Sequence, residues 1–294
     1  MLWSADYLKS KGVDSPRLDA EHILAHVLGL GRLEMYLQHE RPLTARELDA
    51  FRPLLKRRAQ REPLQYVLGR QAFRTLELEV GPGVLIPRPE TESLVEEVLV
   101  WARAYVGPTV THATLHGLDI GTGSGVIALS LLAEGPFARF RGVDVSPEAI
   151  EVSRRNAEQA GLQARFDLQL GSTFSGVPAG ERFDVIVSNP PYVAETQRAD
   201  LAPEIVDWEP EVALFGGADG LEVIREIVRG APNHLRPGGL LALEVGLGQA
   251  ADVATLMERH ALVDARVRKD LAGRPRAVLA NAPRDIADTG QKGA

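Results

Sequence analysis

The chain has 294 residues, 45% hydrophobic and 25% charged, with a formal net charge of -7 and no cysteine. That balance describes a globular protein with enough apolar material for one large domain or two of unequal size. It excludes disulfides, thiolate metal sites and cysteine nucleophiles, and it suits a reducing cytoplasm. No run approaches 18 uninterrupted apolar residues, and the opening MLWSADYLKSKGVDSPRL has no continuous apolar core, so neither export nor a membrane partner is expected. Charge is uneven along the chain: residues 1–75 carry 13 basic against 9 acidic side chains, and the remainder 20 against 31. The first quarter suits an anionic partner, while the acidic remainder argues against direct binding of nucleic acid.

In chain order, Ser15-Pro16 predicts a helix start with Ser15 as N-cap, followed by Leu18, Ile23, Leu24, Val27 and Leu28 at three-four spacing and a stop at Gly29. The capping box Thr44-Ala-Arg-Glu47 opens a second helix with Leu48, Phe51, Leu54 and Leu55 on one face. Its basic run, Lys56, Arg57, Arg58 and Arg61, reads as a solvated face. His22, His26 and His39 lack partners at metal-ligand spacing and read as ordinary surface or packing side chains. Residues 1–68 thus form a small helical domain. Across 69–90, Phe73, Leu76, Leu78 and Val80 predict a strand or hairpin broken at Gly81-Pro82-Gly83, a hinge leading to Pro87 and Pro89 and a helix with Glu90 and Glu92 in its first turn. From Leu115, strands near 115–120, 139–145, 165–170, 183–188, 239–245, 262–269 and 275–280 alternate with helices near 124–134, 147–160, 219–235 and 248–260. Such alternation predicts an α/β domain over 91–282, its sheet covered on both faces. Residues 283–294 read as a flexible tail.

Two places in that domain carry chemistry. LDIGTGSGV follows a strand and opens a helix, so Gly121, Thr122, Gly123, Ser124 and Gly125 lie where a backbone can approach a ligand closely. The spacing is G-x-G-x-G with Val126 next, unlike a dinucleotide fingerprint, and Asp119 before the loop predicts a cationic ligand group rather than a pyrophosphate. Asp144 ends the next strand, placed to accept hydrogen bonds from two ribose hydroxyls or to charge the helix start at Ser146-Pro147. A nucleoside with a positive, non-phosphorylated extension fits this pattern, and S-adenosylmethionine answers to it. The second place is DVIVSNPPYV, an apolar strand stopped by Asn189-Pro190-Pro191-Tyr192. The prolines cannot continue a ladder. The tetrapeptide is either a strand terminator or a rigid rim presenting acceptors to a substrate.

GLDIGTGSGVIAL, VDVSP and VSNPPY resemble the class I S-adenosylmethionine-dependent methyltransferases. PLQYVLG at 63–69, LIPRPETE at 85–92, DWEPEVALFGGADGL at 207–221 and AGRPRAVLA at 272–280 narrow the resemblance to the release-factor glutamine methyltransferases, PrmC or HemK, over essentially the whole chain. The resemblance implies a Rossmann-like seven-stranded sheet, mostly parallel with the last strand antiparallel, and N5-methylation of the glutamine in the Gly-Gly-Gln motif of class 1 peptide-chain release factors. It also implies that Asp119, the Gly121–Gly125 loop, Asp144 and Asn189 hold the cofactor, that Asn189, Pro190, Pro191 and Tyr192 hold the glutamine, and that adenine is met near Thr173 or its neighbour Phe174. The Asn189 oxygen and the Pro190 carbonyl suit the two N–H groups of a carboxamide, with Tyr192 as a flat wall. The helical domain would grip the protein substrate. Rival readings are methylation of an exocyclic amine on a nucleic-acid base, which the acidic catalytic portion disfavours, and a cofactor-binding scaffold without chemistry.

Overall fold

The computed structural model describes residues 2–38, 40–107 and 113–284. His39 and residues 285–294 of the expected tail lie outside the described residues. The chain opens with five helices: α1 (Leu2–Ser10), α2 (Pro16–Leu28), α3 (Arg32–Leu37), α4 (Ala45–Ala59) and α5 (Leu64–Leu68). They enclose a core of Leu8, Ile23, Leu24, Phe51 and Leu55, while Leu18, expected on the apolar face, is exposed. α2 ends at Gly29 in the left-handed conformation as predicted, but Ser15 makes no side-chain cap bond. The α4 capping box is complete: the Glu47 N–H donates to Thr44 Oγ1 at 3.3 Å and the Thr44 N–H to the Glu47 carboxylate at 2.8 Å.

The basic run on α4 departs from expectation. Arg58 is only 6% exposed. Its guanidinium donates to Asp19 of α2 at 2.7 Å and to Glu204 at 3.1 Å, and Arg61 donates to the same Glu204 at 2.6 Å. Arg57 pairs with Glu62. Lys56 is exposed as expected, whereas Arg58 and Arg61 make an ionic contact between distant parts of the chain, because guanidinium forks can be desolvated where acids meet them.

Strands β1 (Arg70–Phe73) and β2 (Leu76–Glu79) pair as an antiparallel hairpin, with Phe73 opposite Leu76. Tyr66 from the PLQYVLG string packs with Val80, Val84 and Ile86 against helix α8 (Pro147–Gln159), and its hydroxyl donates to the Val84 carbonyl at 2.5 Å. Helix α6 (Pro89–Val106) follows. The remaining strands and α-helices are β3 (Leu115–Ile120), α7 (Val126–Glu134), β4 (Phe137–Asp144), β5 (Phe166–Leu170), β6 (Phe183–Ser188), α9 (Pro203–Val206), α10 (Glu211–Leu214), α11 (Glu222–His234), β7 (Leu235–Glu244), α12 (Ala250–Arg259), β8 (Val263–Lys269) and β9 (Pro275–Asn281).

The seven strands lie in the order β5-β4-β3-β6-β7-β9-β8, with β9 inserted antiparallel to both neighbours and the rest parallel. On β6, Val185 and Val187 enter the core shared with α6 and α7, while Ile186 enters the one shared with α11 and α12. This two-faced burial is why that strand reads as a continuous apolar run. Strand order reverses between β3 and β6, where Asp119 pairs with Val187 and Ile120 with Ser188. Open α/β sheets bind ligands at such a switch point, beyond the carboxyl ends of the strands. The glycine loop and Asn189 therefore leave the sheet side by side. Among the described residues no helix is long and apolar enough to cross a membrane.

Candidate active site

The glycine loop forms one wall. Gly121 and Gly123 have φ of 68° and 55°; a Cβ on Gly121 would meet nothing within 4 Å, and one on Gly123 would meet the Gly121 carbonyl oxygen at 4.0 Å, an ordinary contact. From behind, Asp119 braces the loop: its Oδ2 accepts from the Thr122 hydroxyl at 2.8 Å and from the Ala128 N–H at 3.3 Å. Its Oδ1 is buried with no hydrogen-bond partner among the described residues. Burial pushes this carboxyl up to about 7, against the lowering effect of those hydrogen bonds. Asp144 approaches from β4, accepting from the Gly123 N–H at 2.8 Å and the Ser146 N–H at 3.0 Å. Burial raises its pKa too. Each Asp144 oxygen retains acceptor capacity after these bonds.

The opposite wall is Asn189-Pro190-Pro191-Tyr192. Asn189 Nδ2 donates to Thr91 Oγ1 at 3.3 Å, and Thr91 Oγ1 donates to Glu244 Oε2 at 2.6 Å. The Pro190 carbonyl accepts no hydrogen bond from the described residues, whereas the Tyr192 carbonyl accepts from Gln249 Nε2 at 2.9 Å. The chain beyond is pinned by Val193 N–H to Leu214 O at 2.9 Å and Gly216 N–H to Val193 O at 3.0 Å. Gly220 packs so closely that a Cβ there would stand 2.2 Å from the Tyr192 carbonyl oxygen. Only glycine fits, which accounts for part of the GGADG string.

Between the walls lies a cavity of about 270 Å³, near the small end of ligand sites. Of the predicted residues, the loop members Gly121 to Ser124 line it together with Asp144, Thr173, Asn189, Pro190 and Pro191. Three others do not. Asp119 sits behind the loop, Gly125 is the N-cap of α7, and Tyr192 turns its ring to the core and its hydroxyl to Glu244 at 3.4 Å. Tyr192 is thus a brace and not the expected flat wall. Phe174 also points elsewhere, stacked on His234 with ring centroids 4.4 Å apart. Residues that sequence reasoning did not place in the site complete it: Val84, Leu85 and Thr91 on one side, Pro210, Val212 and Ala213 on the other. Membership of the quoted strings LIPRPETE and DWEPEVALFGGADGL hinted at all of them but Val84, which lies in neither. Glu209 ties the two flanks, accepting from the Ile86 N–H at 3.1 Å and pairing with Arg88.

Asp144 is the one charged residue among those lining the cavity. A pyrophosphate would find no cation there, whereas a ribose has a diol acceptor and a positive group has carboxylates nearby. A cradle of this kind at the switch point of a doubly wound sheet defines a Rossmann-like methyltransferase. The comparisons agree. The methyltransferase small domain matches residues 108–217 and the PrmC N-terminal domain residues 1–69. A release factor glutamine methyltransferase of Geobacter sulfurreducens is 46% identical over 277 residues, 94% of this chain and 93% of that one. One of Cereibacter sphaeroides is 42% identical over 94% of this chain and 95% of that one. In fold, a methyltransferase of Pyrococcus furiosus superposes with a TM-score of 0.52 at 20% identity, over 72% of this chain and 91% of that one. The chain belongs to the release factor glutamine methyltransferase family.

Proposed function

We propose that this protein transfers the methyl group of S-adenosylmethionine to the side-chain nitrogen N5 of the glutamine in the Gly-Gly-Gln motif of class 1 peptide-chain release factors. The observation that carries the reading is the pair of acceptors at the cavity: an Asn189 carboxamide whose nitrogen is already engaged by Thr91, and a Pro190 carbonyl with no partner among the described residues. When bound, S-adenosylmethionine supplies an electrophilic methyl on a sulfonium. Asp144 would hold the ribose hydroxyls, the Gly121–Ser124 backbone would lie along the cofactor, Thr173 would flank the adenine, and the buried Asp119 would favour the positive charge through the loop.

A carboxamide nitrogen is a poor nucleophile because its lone pair is delocalised into the carbonyl. Asn189 Oδ1 and Pro190 O, each accepting one N–H, fix the rotation of the substrate amide and so the direction of that lone pair. Positioning of this kind contributes roughly 7–11 kcal/mol in favourable cases. Pro190-Pro191 keeps the acceptors from relaxing, and Gly220 and Gln249 hold the turn from outside. The proton released from nitrogen passes to water, and no side chain is assigned as a base. Residues 1–68 act as the substrate-gripping domain and 69–90 as the hinge to the chemistry carried by 91–282.

The test is incubation of the purified chain with radiolabelled S-adenosylmethionine and either a class 1 release factor, the same factor with the motif glutamine replaced, or DNA and RNA. Label on the intact factor alone supports the reading. Label on nucleic acid, or on the glutamine-replaced factor, overturns it.

A further inference from the structure

We propose that Thr91 and Glu244 are positioning residues that decide which end of the Asn189 carboxamide faces the cavity. The proposal rests on reading Asn189 as an acceptor for the substrate amide. A carboxamide turned by half a rotation keeps its shape but presents two donors in place of an acceptor. Nothing within Asn189-Pro190-Pro191-Tyr192 chooses between the two orientations.

The choice is made from across the sheet. Glu244, at the end of β7, is 1% exposed. As a carboxylate it can only accept, and it takes the Thr91 hydroxyl at 2.6 Å on Oε2 and the Tyr192 hydroxyl at 3.4 Å on Oε1. The single hydrogen of Thr91 is thereby committed, so toward Asn189 its oxygen can only accept. Asn189 must answer with Nδ2, at 3.3 Å. Its Oδ1 is left for the cavity that Asn189 lines.

The relay reverses if Glu244 takes up a proton. The acid can then donate to Thr91 Oγ1, the Thr91 hydrogen can turn toward Asn189, and the carboxamide is free to present NH₂ to a substrate that also presents NH₂. The charged and titratable groups facing Glu244 are Tyr192 from the rim, Arg276 from β9 and Glu90 from α6. Burial pushes the carboxyl up, the Thr91 bond, Arg276 and the Tyr192 bond pull it down, Glu90 pushes it up again, and the balance stands at about 7. The aligned state therefore prevails above that pH and is lost below it.

Kinetics with a class 1 release factor and radiolabelled S-adenosylmethionine, alongside calorimetric cofactor affinity, test this. Thr91→Val keeps the shape without the hydroxyl and should lower kcat by about 10–100-fold with cofactor affinity unchanged, while Thr91→Ser restores most of the rate. For the unaltered chain, kcat should fall about tenfold per pH unit on the acid side of the Glu244 transition, a limb that Glu244→Gln removes because the glutamine has no proton to take up. A Thr91→Val variant with full kcat, a Thr91→Ser variant as slow as the valine, or an acid limb intact in Glu244→Gln overturns the relay. Asn189→Ala separates the two readings: if it turns over normally, the amide clamp itself is wrong; if it is inactive while Thr91→Val is not, only the relay fails.

Discussion

The two walls of the cavity are braced in opposite ways. In the glycine loop, Thr122 bonds a carboxylate three residues away and Gly123 one 21 residues away. On the other wall, Asn189 is held by a residue 98 positions earlier, and Tyr192 by residues 52 and 57 positions later. The contrast follows from composition. A loop of glycines, threonine and serine supplies its own donors, whereas two prolines supply none, so partners for that strand end must come from elsewhere in the fold. Damage to the first wall should appear in cofactor affinity, and damage to the second in turnover.

The strongest attack on this distinction is Asn189→Ala, which should reduce methyl transfer by about 10²–10³-fold or more while calorimetry finds cofactor affinity within a few-fold of normal. Loss of both together would show that the walls are not separable. Next is Gly220→Ala, with φ of 76° and the Tyr192 carbonyl oxygen in the way of its methyl. It should cost on the order of 100-fold in kcat by displacing the rim, although residue 220 lies outside the cavity lining. Unchanged kcat would mean that the rim is set without it.

Asp144→Ala should act on the other wall, weakening the cofactor by about 10–100-fold in Kd, or about 1.4 kcal/mol per tenfold, with kcat at saturation little altered. Unchanged affinity would break the assignment of that wall. Away from both walls, Glu204→Ala should lower stability in urea by about 1–3 kcal/mol, less than the removal of a sole partner, because Arg58 keeps Asp19. A pH-dependent effect is expected at Glu21. Burial pushes this carboxyl up, but hydrogen bonds from Tyr36, Arg17 and Arg32 together hold it down, from an ordinary 4.5 to about 2. A depressed acid stabilises the fold fully above its unfolded pKa, so the packing of α3 on α2 should weaken as pH falls from about 4.5 through 2, and Glu21→Gln should flatten that response.

Periodic elements were legible because a strand buried on two faces or a helix with an apolar stripe repeats its signal many times over. The β6 and β9 strands fall into this group, while the α4 capping box and the loop after β3 were legible as local motifs with fixed spacing. Arg58 was misread because charge density along a helix says nothing of acids 39 and 146 residues away that come to meet it. Thr91 and Glu244 carried no signal beyond a helix first turn and a strand end, since their meaning arises only when the sheet brings α6 and β7 together beneath Asn189. Short helices such as α5, α9 and α10 lack the length for periodicity to show. Phe174 was a candidate by adjacency, and its backbone turns it to His234.

Arg58 also bears on how the chain comes apart. Its guanidinium is shared between Asp19 in the helical bundle and Glu204 in the segment that follows the rim. Melting the bundle alone would take Arg58 away from Glu204, and melting the other side alone would leave Arg58 with Asp19 as its remaining acid. Loss of either side therefore costs the other an ionic contact, and Glu204→Ala should loosen the coupling between the two in heat or urea.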